Sequence, residues 1–233
     1  MSVPVLATVL LIGSTAFLFL PVFDPAPEDI TLATQVRYVA PNLRLTVLGT
    51  SLTANYGWPD SVADRLAQCP GPRPQITRIA TPGANSDWGL HQIPAVIATK
   101  PDIVLIEFAT NDADLRDGVW LHTSAANHRQ MILALQTALP DTRVVLMTMS
   151  PAQGLRGLIR FRLGRYYSQY HSIARQTGAG LIDLYPRWLA LPDTERGLAQ
   201  DGLHPDPAIT AALIVPVITA YLRKAIAGDA CKP

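Results

Sequence analysis

Charge is what this chain has least of. Only 16% of its 233 residues are Asp, Glu, Lys or Arg, and they nearly cancel to a net +1. That balance provides no global field to attract nucleic acid or an anionic surface, so no nucleic-acid partner is expected. The apolar share of 48% argues against a disordered chain. There are two cysteines, Cys69 and Cys231, and neither sits in a C-x-x-C pattern. They fit one disulfide of an exported protein, and equally two unpaired thiols. There is no internal repeat, no low-complexity tract and no Gly-rich phosphate loop. The missing G-x-G-x-x-G leaves little room for a nucleotide-binding Rossmann-type protein. The length suits one α/β domain with a buried core rather than two.

One stretch lacks charge entirely. Residues 3–23 are rich in Val, Leu, Ile and Phe. As a helix they would span roughly 30 Å, about the hydrocarbon thickness of a bilayer. Pro25-Ala26-Pro27 crowds any signal-peptidase site, and the first basic residue is Arg37. Nothing basic holds the following chain in the cytoplasm. The segment reads as an uncleaved membrane anchor with the domain outside the cytoplasm, on the periplasmic side. A cleaved signal with a secreted product, or a buried or interfacial helix, are the alternatives. The expected organisation is an apolar segment over 1–23, a Pro-punctuated linker over 24–41 and one catalytic domain over 42–228.

Past the linker, apolar runs alternate with amphipathic stretches. Strands are expected over 43–48, 76–80, 102–108, 143–149 and 181–185, the last stopped by Pro186. Helices are expected from 59, over 87–98, 124–139 and 163–177 (closed by Gly178), and over 207–226, where Pro216 should kink the last. Strand then helix, repeated, means a parallel sheet covered on both faces. Ligands in such folds bind beyond the carboxyl ends of the strands.

Three polar groups follow strand ends: Gly49-Thr50-Ser51-Leu52, Gly83-Ala84-Asn85-Ser86 and Ala109-Thr110-Asn111-Asp112. A fourth, Asp201-Gly202-Leu203-His204, precedes the last helix. Each alone reads as a turn or a helix cap. Together they supply a complete acyl-transfer set. Serine needs a base to take its proton, and a neutral imidazole suits that task. The imidazole in turn needs a carboxylate to fix its tautomer. Ser51, His204 and Asp201 are therefore the candidate catalytic residues. The backbone amides of Ser51 and Gly83 and the side-chain amide of Asn111 are the candidate oxyanion donors. Asp201, His204 and Asp206 lie on one short loop with no helical spacing, a poor metal-ligand pattern, so no metal is expected.

The order Ser, Gly, Asn, then Asp-x-x-His resembles the SGNH (GDSL-like) hydrolase family. Thr50 stands where the family's G-D-S-L has Asp, and Ala109 where its G-x-N-D has Gly. The last block matches without change. The resemblance runs from about residue 44 to 227. It implies a flavodoxin-like three-layer α/β/α fold with a five-stranded parallel sheet. It also implies ester hydrolysis through an acyl-enzyme, with no cofactor and no metal. Glu107-Phe108, Asn111-Asp112, Arg165-Tyr166-Tyr167 and residues 181–188 further resemble a bacterial subgroup associated with polysaccharide metabolism. That resemblance points to a small-molecule or glycan ester, an acylated carbohydrate in particular. On this reading Arg156, Arg160 and Tyr166, in or just behind the loop after strand four, are candidate substrate-binding residues. An O-acyltransferase using the same triad, a lipase or thioesterase of the same family, and a carbohydrate-binding module on an inactive esterase fold are the rival readings.

The uncharged amino-terminal run gives the first prediction. The protein should sediment with membranes until detergent is added. A soluble mature form beginning after about residue 20 would identify a cleaved signal instead.

Overall fold

The computed structural model describes residues 26–36, 42–68, 71–116 and 119–227. The apolar segment 3–23, Cys69 and Cys231 lie outside them. Five parallel strands form one sheet in the order β2-β1-β3-β4-β5: β1 (Asn42–Gly49), β2 (Arg73–Ala80), β3 (Ile103–Ile106), β4 (Arg143–Met147) and β5 (Gly180–Ile182). All four pairings between neighbouring strands are parallel. This is the flavodoxin-like order, whose crevice opens between β1 and β3, where the winding reverses.

Burial explains the composition of the strands. β3 is Ile-Val-Leu-Ile and buried throughout, as a central strand covered on both faces must be. β2 lies at an edge, and its Arg73, Gln75 and Thr77 reach solvent.

The helices follow the strands in chain order. They are α1 (Ser51–Ala54), α2 (Trp58–Ala67), α3 (Ser86–Ala98), α4 (Ala109–Asp112), α5 (Leu121–Ala138), α6 (Gly154–Leu158), α7 (Leu163–Thr177), α8 (Tyr185–Leu189) and α9 (Pro207–Ala227). α2 packs with α9 on one face of the sheet, while α3, α5 and α7 pack side by side on the other. α9 is apolar enough in length and composition to cross a membrane. Here it is a core helix, with Ile214, Ile218 and Leu222 fully buried.

β2 starts earlier than expected, at Arg73, and β3 and β4 end earlier, at Ile106 and Met147. Three further features differ from the sequence expectation. The fifth strand ends at Ile182, because Pro186 sits in the first turn of α8 rather than stopping a strand at 185. Proline is tolerated there, since the first N–H groups of a helix have no internal partner. The helix expected from 124 begins at Leu121. The third is residues 26–36, which are no free linker. Ile30 makes an antiparallel bridge to Leu181, and its carbonyl also accepts from the Tyr221 hydroxyl at 2.7 Å. Val36 is buried and donates to the Ala225 carbonyl at 2.8 Å. The segment thus covers the open edge of β5, the usual weak point of a sheet.

Asp29 secures this strap. It accepts from the Asp183 N–H at 2.8 Å and receives the Arg187 guanidinium at 3.0 and 2.9 Å. Asp29→Ala leaves a backbone donor without its partner and should cost about 1–3 kcal/mol. Urea unfolding checks this; an unchanged midpoint would return 26–36 to the status of a spacer.

Candidate active site

Ser51 opens α1 directly beyond β1, one residue after the cap. Thr50 is extended, and its hydroxyl oxygen accepts from the Leu52 N–H at 3.1 Å. Thr50 also meets a carboxylate from the neighbouring strand. Glu107, just past β3, is fully buried and accepts from Thr50 N–H at 2.6 Å, from the Thr50 hydroxyl at 3.0 Å and from the Thr53 hydroxyl at 2.8 Å. Gly49 makes room for it: a Cβ there would stand 2.2 Å from Glu107 Oε1. Where the family motif places an acid in position 50, this chain brings a carboxylate to the same turn from β3. The sequence signal was present, an acid at the end of an otherwise apolar strand, but nothing local assigned it a partner. Burial pushes the Glu107 carboxyl up to about 7, against the pull of its hydrogen bonds.

The other two residues of the set come from the loop before α9. His204 Nε2 lies 2.8 Å from Ser51 Oγ, and His204 Nδ1 lies 2.6 Å from Asp201 Oδ2. Asp201 Oδ1 also accepts from the N–H groups of Leu203 and His204, at 2.9 and 2.8 Å. Burial works to raise its pKa, but the bonds from His204 and Leu203 outweigh that and hold it at about 2. An ionised Asp201 only accepts, so Nδ1 carries the imidazole proton and Nε2 is free to accept from the serine hydroxyl. Gly202 lets the loop pass closely: its φ is +75°, and a Cβ would stand 2.4 Å from the Gln153 carbonyl oxygen. Gln153 N–H donates to the Gly202 carbonyl at 2.7 Å, so the start of α6 braces this loop. Asp206 caps α9 through the Ala208 and Ile209 N–H groups. Among the described residues, no three of His, Cys, Asp and Glu group to hold a metal ion.

The remaining loops meet at the same edge. Gly83 turns between β2 and α3 at φ +77°. Asn111, in α4 beyond β3, donates from Nδ2 to the Ala84 carbonyl at 2.8 Å. A primary amide has two such hydrogens, so one remains. Ser51 is the first residue of α1, and its N–H has no acceptor within that helix. A cleft of about 520 Å³, lined by Asn55, Tyr56, Gly197, His204, Pro205 and Ile209, opens beside the imidazole.

Below these loops runs a buried polar network that sequence reasoning missed. Asp112 accepts from Ser86 N–H at 2.7 Å and from the Ser124 hydroxyl at 2.5 Å, and burial raises its pKa to about 6. Tyr170 hydroxyl accepts from the N–H groups of Phe108 and Ala109 at 3.2 and 3.1 Å and lies 2.8 Å from His128 Nε2. His128 Nδ1 lies 2.7 Å from the Ser124 carbonyl. A carbonyl cannot donate, so the ring is protonated on Nδ1 and accepts the tyrosine proton on Nε2. Burial depresses its pKa to about 4 and keeps it neutral.

The expected substrate-binding group divides. Arg160 and Tyr166 are buried. Arg160 pairs with Asp114 at 2.6 Å and donates to the Thr110 carbonyl at 2.8 Å, and Tyr166 donates to the Val119 carbonyl at 2.8 Å. Both side chains serve the interior, and the substrate-binding role expected of them is corrected. The sequence could not place them, because helix start and buried brace look alike without the partner Asp114. Arg156 remains partly exposed on α6, beside Gly202.

Glu107 yields a pH prediction. Its folded pKa lies above the ordinary carboxylate value, so its neutral form favours folding. That contribution is full below about 4.5 and is lost as pH rises through about 7. Glu107→Gln cannot ionise. Its melting temperature, relative to the unaltered protein, should therefore rise from pH 5 to pH 8. His128 has the opposite slope but is common to both proteins and cancels. A constant gap across this range would rule out a titrating Glu107.

The model of the GDSL-like Lipase/Acylhydrolase family matches residues 47–212. No curated protein gives a significant match. Among solved structures, a lipase/acylhydrolase from Enterococcus faecalis is similar at TM-score 0.71 and 23% identity, over 82% of this chain and 100% of that one. A catalytic mutant of an acetylxylan esterase from Geobacillus stearothermophilus is similar at TM-score 0.67 and 19% identity, over 80% and 96%. The psychrotrophic esterase EstA from Pseudoalteromonas sp., inhibited by monoethylphosphonate, is similar at TM-score 0.62 and 22% identity, over 78% and 98%. At these identities the structures speak for the fold, which is that of SGNH hydrolases; the family match goes further, and this chain belongs to the GDSL-like lipase/acylhydrolase (SGNH) family and is a hydrolase acting on ester bonds.

Proposed function

We propose that the chain is a serine esterase working through a Ser51–His204–Asp201 triad, and that its substrate is an O-acetyl ester of a carbohydrate. The continuous relay from Ser51 Oγ to His204 Nε2 at 2.8 Å, and from His204 Nδ1 to Asp201 Oδ2 at 2.6 Å, carries the reading. Ser51 Oγ attacks the ester carbonyl while Nε2 takes its proton. The imidazolium beside Asp201 then returns that proton to the leaving alcohol. Water, activated by the same nitrogen, releases the acid and frees Ser51. The tetrahedral oxyanion is met by Ser51 N–H, Gly83 N–H and the second hydrogen of Asn111 Nδ2. The carbohydrate assignment draws on the fold shared with the acetylxylan esterase. The anchor reading of residues 3–23 places the reaction outside the cytoplasm.

Ser51→Ala should lower kcat on p-nitrophenyl acetate by about 10³-fold or more with the fold intact. Asn111→Ala should lower it by about 10²-fold. An effect of Asn111→Ala on KM alone would make that residue a binding group, and near-normal turnover by folded Ser51→Ala would remove the triad. A screen over acetylated sugars and over short and long acyl esters tests the substrate. Preference for long acyl chains would overturn the acetyl assignment.

A further inference from the structure

Five of the six large hydrophobic side chains exposed among the described residues fall in two stretches: Leu115 and Trp120 in one, Leu155, Leu158 and Phe161 in the other. The stretches are joined, because Leu115 N–H donates to the Ile159 carbonyl at 3.0 Å. Leu155 is 81% exposed, Leu158 68% and Phe161 63%, and α6 buries no residue at all. Isolated exposed leucines are ordinary; a cluster of this kind marks an interaction surface.

Charge narrows the partner. Residues 151–170 contain Arg156, Arg160, Arg162 and Arg165 and no acidic residue. Arg160 is taken up internally by Asp114, while Arg162 and Arg165 are exposed, with the Arg162 guanidinium 5.0 Å from the centre of the Phe161 ring. Aliphatic side chains with arginines among them match an anionic lipid surface, where the apolar groups enter and guanidinium heads stay with phosphates. A glycan would find no hydrogen-bonding partner in Leu155 or Leu158.

The path of residues 26–30 agrees. Ile30 runs antiparallel to β5, so tracing back from it leads toward the carboxyl end of that strand. Glu28 N–H donates to Asp183 there, at 3.2 Å. Residue 26 therefore stands at the sheet edge from which Ser51 and α6 also rise, and the uncharged segment 3–23 precedes it by a few residues.

We infer that α6 and the turn through Phe161 dock on an anionic phospholipid surface and set the catalytic edge against the bilayer. The orientation rests in part on the anchor reading of residues 3–23. Gln153, at the head of α6, holds the loop that carries Asp201 and His204, so docking places the triad at the membrane face.

The test is amide hydrogen exchange on the full chain reconstituted in phosphatidylcholine vesicles, with and without phosphatidylglycerol. Exchange across residues 154–162 should slow about tenfold with the anionic lipid, the effect fading at high salt. Leu155→Ser combined with Leu158→Ser should abolish the slowing while keeping turnover of p-nitrophenyl acetate, and Arg162→Glu should weaken it. Equal exchange in both vesicles overturns the inference. Slowing in detergent that grows with protein concentration assigns the face to a second copy and overturns it too, as does slowing by an acidic oligosaccharide but not by lipid. The anchor is read separately, by retention on neutral vesicles after a carbonate wash. Should the chain wash off, phosphatidylglycerol vesicles added to the released protein still decide the docking.

Discussion

A carboxyl group sealed from water organises this molecule. Glu107 lies just past the fully buried β3 and takes three donors from the turn between β1 and α1. Burying such a group without partners would be prohibitive, so the turn that satisfies it has little freedom to move. Ser51 is the next residue. Its place is thus set by a bond between neighbouring strands at the point where the winding of the sheet reverses. Gly49 is a consequence of the same contact, since any side chain there would occupy the position of the carboxylate oxygen.

A second network repeats the principle one layer down. Asp112 binds the head of α3 and the first turn of α5, while Tyr170 from α7 satisfies the two N–H groups at the head of α4. His128 connects the two halves by accepting from Tyr170 and donating to Ser124. Polar networks of this kind are stabilising only when every member is satisfied, and their reward is a single arrangement. Here that arrangement fixes the loops after β2 and β3 relative to one another and to α5 and α7. The His204 loop is held differently, by backbone bonds to α6 and by the cap of α9.

What could be read from the sequence was whatever is local or periodic. The apolar runs announced the five strands, and the order of polar blocks after them announced which loops converge. Asp201 and His204 were legible because three-residue spacing keeps both in one turn. What depends on a distant partner was not legible. Glu107 needs Thr50, Arg160 needs Asp114, and Tyr170 needs the end of β3. Arg160 shows the cost of this, since an arginine in a basic loop carries no mark that a buried aspartate awaits it. The run 181–185 failed for another reason. Pro186 breaks a strand and starts a helix equally well, and only the surrounding packing decides between them.

The strap over β5 ties together parts of the chain that are synthesised far apart. Ile30 receives its hydroxyl partner from Tyr221, 191 positions later. No local fragment can close that edge, so the final sealing waits for the last helix, and non-local pairing of this kind slows folding. A chain synthesised amino end first therefore has its strap waiting on its last helix. During that interval β5 is the sheet edge open to pairing with another molecule, and the time to complete the last helix sets how long that exposure lasts.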